Sequence, residues 1–509
     1  MNITRPDNGT MLNAYPDSMG SRLSDIISLL KKPEFEDVFR SFYILPSIYH
    51  SDLDRGFSVI DYGINENMGS EDDLKELNKL NISLKLDFIL NHASVLSPQF
   101  KDLLSGGESS RYADFFINWN QFWDGYGKMT DEGYIKPDDE YIKDMFFRKP
   151  GLPILMVKMP DGSRVPYWNT FYQEVYAENA PHKELMDKTG VPYLGQMDLN
   201  IKSPLVWEYY RDTLKTLAGY GAKIVRLDAF AYAPKEPGKK NFLNEPDTWE
   251  VLERVKDIAS EYGLDLLPEI HATYSEGIYE KIADKGYMTY DFFLPGLLIY
   301  AIEKHDGQKL INWANEIYDK KIRTVNMLGC HDGIPLLDLK GILPEDDISQ
   351  LIDIIVKRGG YVKDLHGARN MYYQVNATYY SALGEDDKKM LFARAIQMFM
   401  PGKPQIWYLD LFTGRNDYEA VRLAGEGGHK EINRTNLTSA QIEEALKKNV
   451  VKEQLHLLKL RNTHPAFGWN SIFRAGSEGS RMTLTWENNG NTVSLTADFS
   501  DYSYTITAD

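Results

Sequence analysis

The chain has 509 residues, 43% apolar and 26% charged, which is ample for a large core in a soluble globular protein. Its formal net charge of −17 argues against nucleic acid or an anionic membrane as the main partner, while a small anionic substrate could still sit on a local basic cluster. A single cysteine, Cys330, excludes an internal disulfide. The first residues show no basic stretch followed by a long apolar run, so no signal peptide is expected. No segment reaches the roughly 18 apolar residues of a membrane span, and a cytoplasmic protein is expected.

Eight short apolar runs follow one another along the chain: TMLNAY from Thr10, FYILPS from Phe42, LKLDFIL from Leu84, KIVRLDA from Lys223, LDLLPEI from Leu264, YMTYDFF from Tyr287, RTVNMLG from Arg323 and PQIWYLD from Pro404. Amphipathic segments separate most of them. Before the fourth run, SPLVWEYYRDTLKTLAGYG predicts a helix with Ser203 as cap and Pro204 in its first position. After it, Trp249, Leu252, Val255, Ala259 and Tyr262 keep helical spacing, with Asp247 and Thr248 as cap candidates and Gly263 as the stop. Strand–helix alternation repeated eight times predicts an α/β fold, a parallel (β/α)8 TIM barrel. An open doubly wound sheet would want a phosphate-binding glycine loop after its first strand, and none is present.

Two connections are too long for one loop and helix. The barrel is therefore assigned to residues 1–93, 199–332 and 403–465, with an excursion over 94–198 after strand three and another over 333–402 after strand seven. Residues 466–509 alternate apolar and polar side chains around an Asn-Gly turn and predict a small antiparallel β domain.

In such a barrel, catalytic groups hang from the C-terminal ends of different strands. The polar residues there are His92, Arg226, Asp228, Glu269, His331 and Asp332. Arg226 and Asp228 are two apart on one strand and so point the same way. A guanidinium beside a carboxylate holds it ionised and directed, as a nucleophile requires. Glu269 follows the apolar LDLLP, a context that raises a carboxyl pKa and suits a proton donor. One Arg-x-Asp alone is more often a structural ion pair, and His-Asp is a common dipeptide. Their joint occurrence at strand ends favours retaining glycoside chemistry with two carboxyls about 5–5.5 Å apart. Asp87 and Cys330 read as structural. No zinc, redox-thiol or nucleotide motif is present, so no metal or cofactor is expected.

The segments DRGFSVIDY, FILNHAS, KIVRLDAFAY, LLPEIH, CHDGI, YQVNATYYSALG and EINR resemble the α-amylase superfamily, in particular its sucrose phosphorylase branch. The resemblance implies Asp228 as nucleophile, Glu269 as acid/base and Asp332 as the carboxylate that grips sugar hydroxyls. It implies Asp54, Phe57, His92, Phe171, Gln196, Arg226, His331, Gln374 and Arg434 as the sugar pocket. The excursion over 94–198 corresponds to the family's B domain, and that over 333–402 to an insertion domain of these phosphorylases. The implied partners are a sugar substrate and inorganic phosphate, and the protein is expected as a monomer or homodimer.

The match departs on the acceptor side, assigned to Arg148, Lys149, Met371 and Tyr373. Where the family has Arg-Pro-Gly-Leu-Pro, this chain has FFRKPGLP, with Lys149 in place of the arginine. Lysine supplies charge without the bidentate fork, and Arg148 stands just before it. Met371 replaces an aspartate that contacts fructose in sucrose-specific members, close to the basic Lys363, His366 and Arg369. The resemblance therefore implies transfer of an α-glucosyl group from sucrose to phosphate. The same chemistry on sucrose 6′-phosphate, glucosylglycerate or glucosylglycerol is one alternative, and an α-glucosidase or transglucosidase that needs no phosphate is another.

Overall fold

The structure, a computed structural model, describes residues 7–148, 151–171, 173–175, 183, 187, 193–362, 374–425 and 428–509. All eight apolar runs form strands: β1 (Met11–Ala14), β2 (Ser41–Ile44), β3 (Ser83–Ile89), β4 (Ala222–Asp228), β5 (Asp265–Pro268), β6 (Thr289–Asp291), β7 (Thr324–Met327) and β8 (Lys403–Trp407). Their side chains are almost wholly buried, which is why they read as continuous apolar runs rather than as alternating ones.

The chain folds as two compact units. One holds the residues up to Leu45, Asn67–Lys85 and Ile270–Asp509; the other holds Pro46–Glu66 and Leu86–Glu269. In the first, β1 lies between β2 and β8, in parallel with both, β8 pairs with β7, and β7 with β6. In the second, β4 lies between β3 and β5, and β4 and β5 run parallel. The strands run β5-β4-β3-β2-β1-β8-β7-β6 across the sheet, with β8 returning beside β1, and the fold is a (β/α)8 barrel.

The helix Pro204–Gly219 starts as expected, with Ser203 at the N-cap position and Pro204 in the first turn, although the serine makes no capping hydrogen bond. The next helix spans Asp247–Glu261 with Pro246 at its cap. Asp247 and Thr248 are therefore first-turn residues and not caps. Asp247 is held there by Asn244 Nδ2, 2.8 Å from its Oδ2.

Between β3 and β4, Trp119, Trp123 and Trp168 form a small core with Ile117 and Ile135. Trp123 and Trp168 stack with centroids 6.1 Å apart. At the C-terminus, β9 (Ile472–Glu478), β10 (Arg481–Asn488), β11 (Asn491–Asp498) and β12 (Ser503–Ala508) form an antiparallel sheet in that order. Asn488 faces Asn491 across a two-residue turn in which Asn489 and Gly490 have φ of 49° and 79°. That left-handed pair is what an Asn-Gly hairpin demands. Among the described residues no helix is long and apolar enough to cross a membrane.

Candidate active site

In the second unit, the site is organised by one guanidinium. Arg226 is buried on β4, and its Nη1 lies 2.5 Å from Asp87 Oδ1 and 3.0 Å from Asp228 Oδ1. Nη2 lies 2.7 Å from Glu269 Oε1. One fork therefore joins carboxylates from three consecutive strands, while its plane sits 5.4 Å from the Phe57 ring centroid. Asp87 was expected to be structural. Here it is the buried anchor that turns Arg226 toward the other two.

The register explains why Asp228 and Glu269 meet the same side chain. Arg226 stands opposite Leu267 and Leu227 opposite Pro268, and Glu269 N–H donates to Leu227 O. One step further, Asp228 stands beside Glu269. Neighbouring strands are about 4.8 Å apart, so both carboxyls start from backbones near the separation that retaining glycosidases use. The expected apolar surroundings of Glu269 are not what its carboxylate meets, because Glu269 shares a face with Leu267 and so comes within reach of Arg226. Directly after Asp228 the chain turns through Ala229 at φ 53° and ψ 16°, a left-handed conformation costly for a residue with a Cβ.

Asp54 sits in a single turn with φ of 51°, and Phe57 O, just beyond it, accepts a hydrogen bond from His92 Nε2 at 3.0 Å. Burial pushes the His92 imidazole down to about 4, against the pull of Asp198 and Asp54. His92 is thus neutral near pH 7, with Nε2 protonated. Its ring meets Phe171 at 4.9 Å, and Phe171 meets Tyr232 at 5.1 Å. Arg148 covers this aromatic pair: its guanidinium is 5.0 Å from the Phe171 centroid, and Nη1 donates to Tyr232 Oη at 3.2 Å. Gln196 is buried on a strand paired with His92–Ser94.

Below these residues lies a lysine that the sequence reading passed over. Lys235 is buried, with Nζ 2.8 Å from Asp198 Oδ2, and it donates to Asn91 Oδ1 at 3.0 Å and to Tyr232 O at 2.5 Å. Asp198 in turn accepts from Thr170 N–H at 2.9 Å and Asn91 Nδ2 at 3.1 Å. This ammonium ties the strand that carries Gln196 to Asn91, the residue before His92, and to the turn after β4. Nothing in FAYAPKEP marked it out.

In the first unit, Asp332 is the centre. His331 Nε2 lies 3.1 Å from its Oδ2, Lys430 Nζ 2.5 Å from Oδ1, and Arg434 Nη2 3.7 Å from Oδ1. Burial pushes the Asp332 carboxyl up, but His331, Lys430 and Arg434 outweigh it and hold it well below the usual range. Lys430 was not foreseen, although it lies one residue before the EINR motif. Arg434 also donates from Nε to His331 O at 2.8 Å and packs over Tyr15. Gln374 is buried with Nε2 3.4 Å from His271 Nε2, and His271 stacks on Phe292 at 3.9 Å with Nδ1 3.3 Å from Asp338. Cys330 is buried beside His331, and Cys330, His331 and Asp332 offer ligand atoms within 4.8 Å of one another. Lys149, Met371 and Tyr373 lie outside the described residues.

The second unit offers two carboxyls on adjacent strand ends under a shared cation, and the first unit offers a carboxyl held ionised. No family model matches the chain. It is 51% identical to the sucrose 6(F)-phosphate phosphorylase of Ilumatobacter coccineus, over 98% of this chain and 95% of that protein. The crystal structure of sucrose 6F-phosphate phosphorylase from Thermoanaerobacter thermosaccharolyticum superposes with a TM-score of 0.87 at 36% identity, covering 98% of this chain and 95% of the other. An α-amylase from H. orenii shares the fold at a TM-score of 0.64 and 16% identity, over 97% and 89% of the two chains. The chain is a glucosyl-transferring glucoside phosphorylase, and it belongs to the family of the sucrose and sucrose 6(F)-phosphate phosphorylases.

Proposed function

We propose that the enzyme phosphorolyses sucrose 6′-phosphate with retention, releasing α-glucose 1-phosphate and fructose 6-phosphate. The observation that carries the chemistry is the Arg226 fork, which holds Asp228 and Glu269 on neighbouring strand ends. Glu269 protonates the glycosidic oxygen as Asp228 attacks the anomeric carbon and forms a β-glucosyl ester. Phosphate then attacks the same carbon from the α face, giving up its proton to Glu269 and releasing Asp228. Asp332, kept ionised by His331, Lys430 and Arg434, grips the sugar hydroxyls as positive charge develops on the ring. Asp54, Phe57, His92, Phe171, Gln196, His331, Gln374 and Arg434 complete the glucose pocket.

A phosphorylated leaving group is supported by the 51% relative and by the basic side chains of the acceptor segments, Arg148 and Lys149 on one and Lys363, His366 and Arg369 on the other. In this reading residues 94–198 and 333–402 wall the acceptor side of a barrel that ends near residue 465, followed by the β domain. Both products are charged sugars that a membrane retains, which fits a cytoplasmic enzyme.

The test is glucose 1-phosphate release from sucrose 6′-phosphate, sucrose, glucosylglycerate and glucosylglycerol, each with and without phosphate. The expected result is phosphate-dependent turnover with the highest kcat/KM on sucrose 6′-phosphate. Equal sugar release without phosphate would refute phosphorolysis, and a preference for sucrose would refute the charged leaving group.

A further inference from the structure

Four successive residues after β7 are each held by a buried side chain. Gly329 N–H donates to Asp410 Oδ2 at 2.9 Å. Asn433 Nδ2 donates to Cys330 O at 2.8 Å, Arg434 Nε to His331 O at 2.8 Å, and Asn376 Nδ2 to Asp332 O at 2.7 Å. A backbone segment gripped at every peptide has almost no freedom to carry its side chains elsewhere.

Asp410 stands out among the four holders. It is fully buried in the short helix after β8 and remote in sequence from every candidate substrate ligand except Arg434. Its second oxygen, Oδ1, accepts from Tyr379 N–H at 3.2 Å, where the chain begins a helical turn three residues after Asn376. The two oxygens of one carboxylate thus join the loop of His331 and Asp332 to the segment that follows Gln374. The fit is close: a Cβ on Gly329 would meet Asp410 Oδ2 at 2.6 Å. Burying a carboxylate is costly, and the cost is visible here, since desolvation pushes Asp410 up to about 6 against the opposing charge of Arg394 and the two N–H groups. An apolar side chain would fill the space more cheaply but could hold neither loop.

We propose that Asp410 is a positioning residue for glucosyl transfer, fixing the Asp332 loop and the Gln374–Tyr379 segment in one register so that Asp332 meets the sugar without reorganisation. The inference rests on the reading of Asp332 as the carboxylate that stabilises the transition state. Preorganised groups act in the transition state more than in the ground state, and a displacement of about 1 Å can cost on the order of 100-fold in rate.

The experiment compares Asp410→Asn with wild type in phosphorolysis of sucrose 6′-phosphate. The carboxamide keeps the size but can accept from only one of the two N–H groups through its oxygen. The expected result is a kcat lower by roughly 10- to 100-fold with KM changed less than about threefold, and binding of a protonated glucose iminosugar weakened in parallel with kcat. Should that variant fail to fold, Asn433→Ala, which releases Cys330 O, carries the same expectation. A lowered Tm with kcat unchanged would assign Asp410 to stability alone and overturn the proposal. Asp332→Asn is the control: if it retains wild-type turnover, the reading of Asp332 fails, whereas loss of activity in Asp332→Asn with full kcat in Asp410→Asn sinks only the inference about Asp410.

Discussion

Replacing Arg226 by lysine keeps the positive charge and removes the fork. In the wild type, two nitrogens of one planar group reach Asp87, Asp228 and Glu269 at 2.5, 3.0 and 2.7 Å. A single ammonium on a shorter reach can follow the anchor Asp87 or the pair Asp228 and Glu269, and not all three. Each charge-assisted hydrogen bond at a buried site is worth about 1.5–3 kcal/mol, and leaving a buried partner uncompensated costs about 3–5 kcal/mol. Loss of one or two contacts therefore puts the expected effect at about 3–5 kcal/mol. On kcat/KM this corresponds to roughly two to four orders of magnitude. The assay is initial-rate release of glucose 1-phosphate at saturating phosphate, with near-UV circular dichroism to show that the variant is folded. Asp87→Asn is the companion: Asp87 touches Arg226 but lies on β3, a strand away from Asp228, so it should lose activity in the same direction and less. An Arg226→Lys enzyme within threefold of wild type, or an Asp87→Asn enzyme worse than Arg226→Lys, would refute the view that the fork aligns the two carboxyls.

Lys430→Met removes one of the cations that hold Asp332 below the usual carboxylate range, so its pKa rises and the acid limb of kcat/KM moves to higher pH. The same depressed carboxyl stabilises the fold above its unfolded pKa and loses that contribution as pH falls through the folded value, so the Tm deficit of Lys430→Met should be largest near neutrality. An unmoved acid limb would show that Lys430 does not set the charge of Asp332. His92, depressed from 6.5 to about 4, binds its proton more readily when the chain is unfolded. Wild-type stability should then rise by about 3 kcal/mol between roughly pH 4 and 6.5, and His92→Asn should flatten that rise in urea titrations; equal slopes would overturn the assignment. Arg148→Ala should raise KM for sucrose 6′-phosphate by roughly 10- to 100-fold, the worth of a charge-assisted contact, with a smaller change for sucrose. Equal effects on the two substrates would move Arg148 away from the acceptor phosphate.

The barrel was legible because each strand is a short apolar run buried on both faces, and the two carboxyls of β4 and β5 were legible because strand ends are where a barrel exposes chemistry. The link between Arg226 and Asp228 followed from the two-residue period of a strand. Its extension to Glu269 did not, since it depends on the register between β4 and β5, which local pattern does not reveal. Asp87 stands out as a charge in an apolar run, but its partner is defined only where β3 and β4 lie side by side. Lys430, Lys235 and Asp410 left no mark in the sequence for a similar reason. A buried cation or carboxylate is recognised by what encloses it, and Lys430 is 98 residues from Asp332 while Asp410 is 81 from Gly329. The helix after β4 was found from its spacing, but its cap was misassigned because Asp247 bonds to Asn244 rather than to the helix N-terminus.

The oxygens around Lys235 bear on how this protein responds to its surroundings. A carboxylate, an amide oxygen and a main-chain carbonyl converge on one point, the kind of donor set that would also attract a dissolved cation. An ion taken from solution stabilises a fold only in proportion to the logarithm of its occupancy, and chelation or dilution withdraws it. An ammonium at the end of a side chain has no such dependence, because it is supplied at fixed stoichiometry by the peptide itself. The joint between the strand of Gln196 and the turn after Asp228 therefore keeps its strength whatever the mineral composition of the medium.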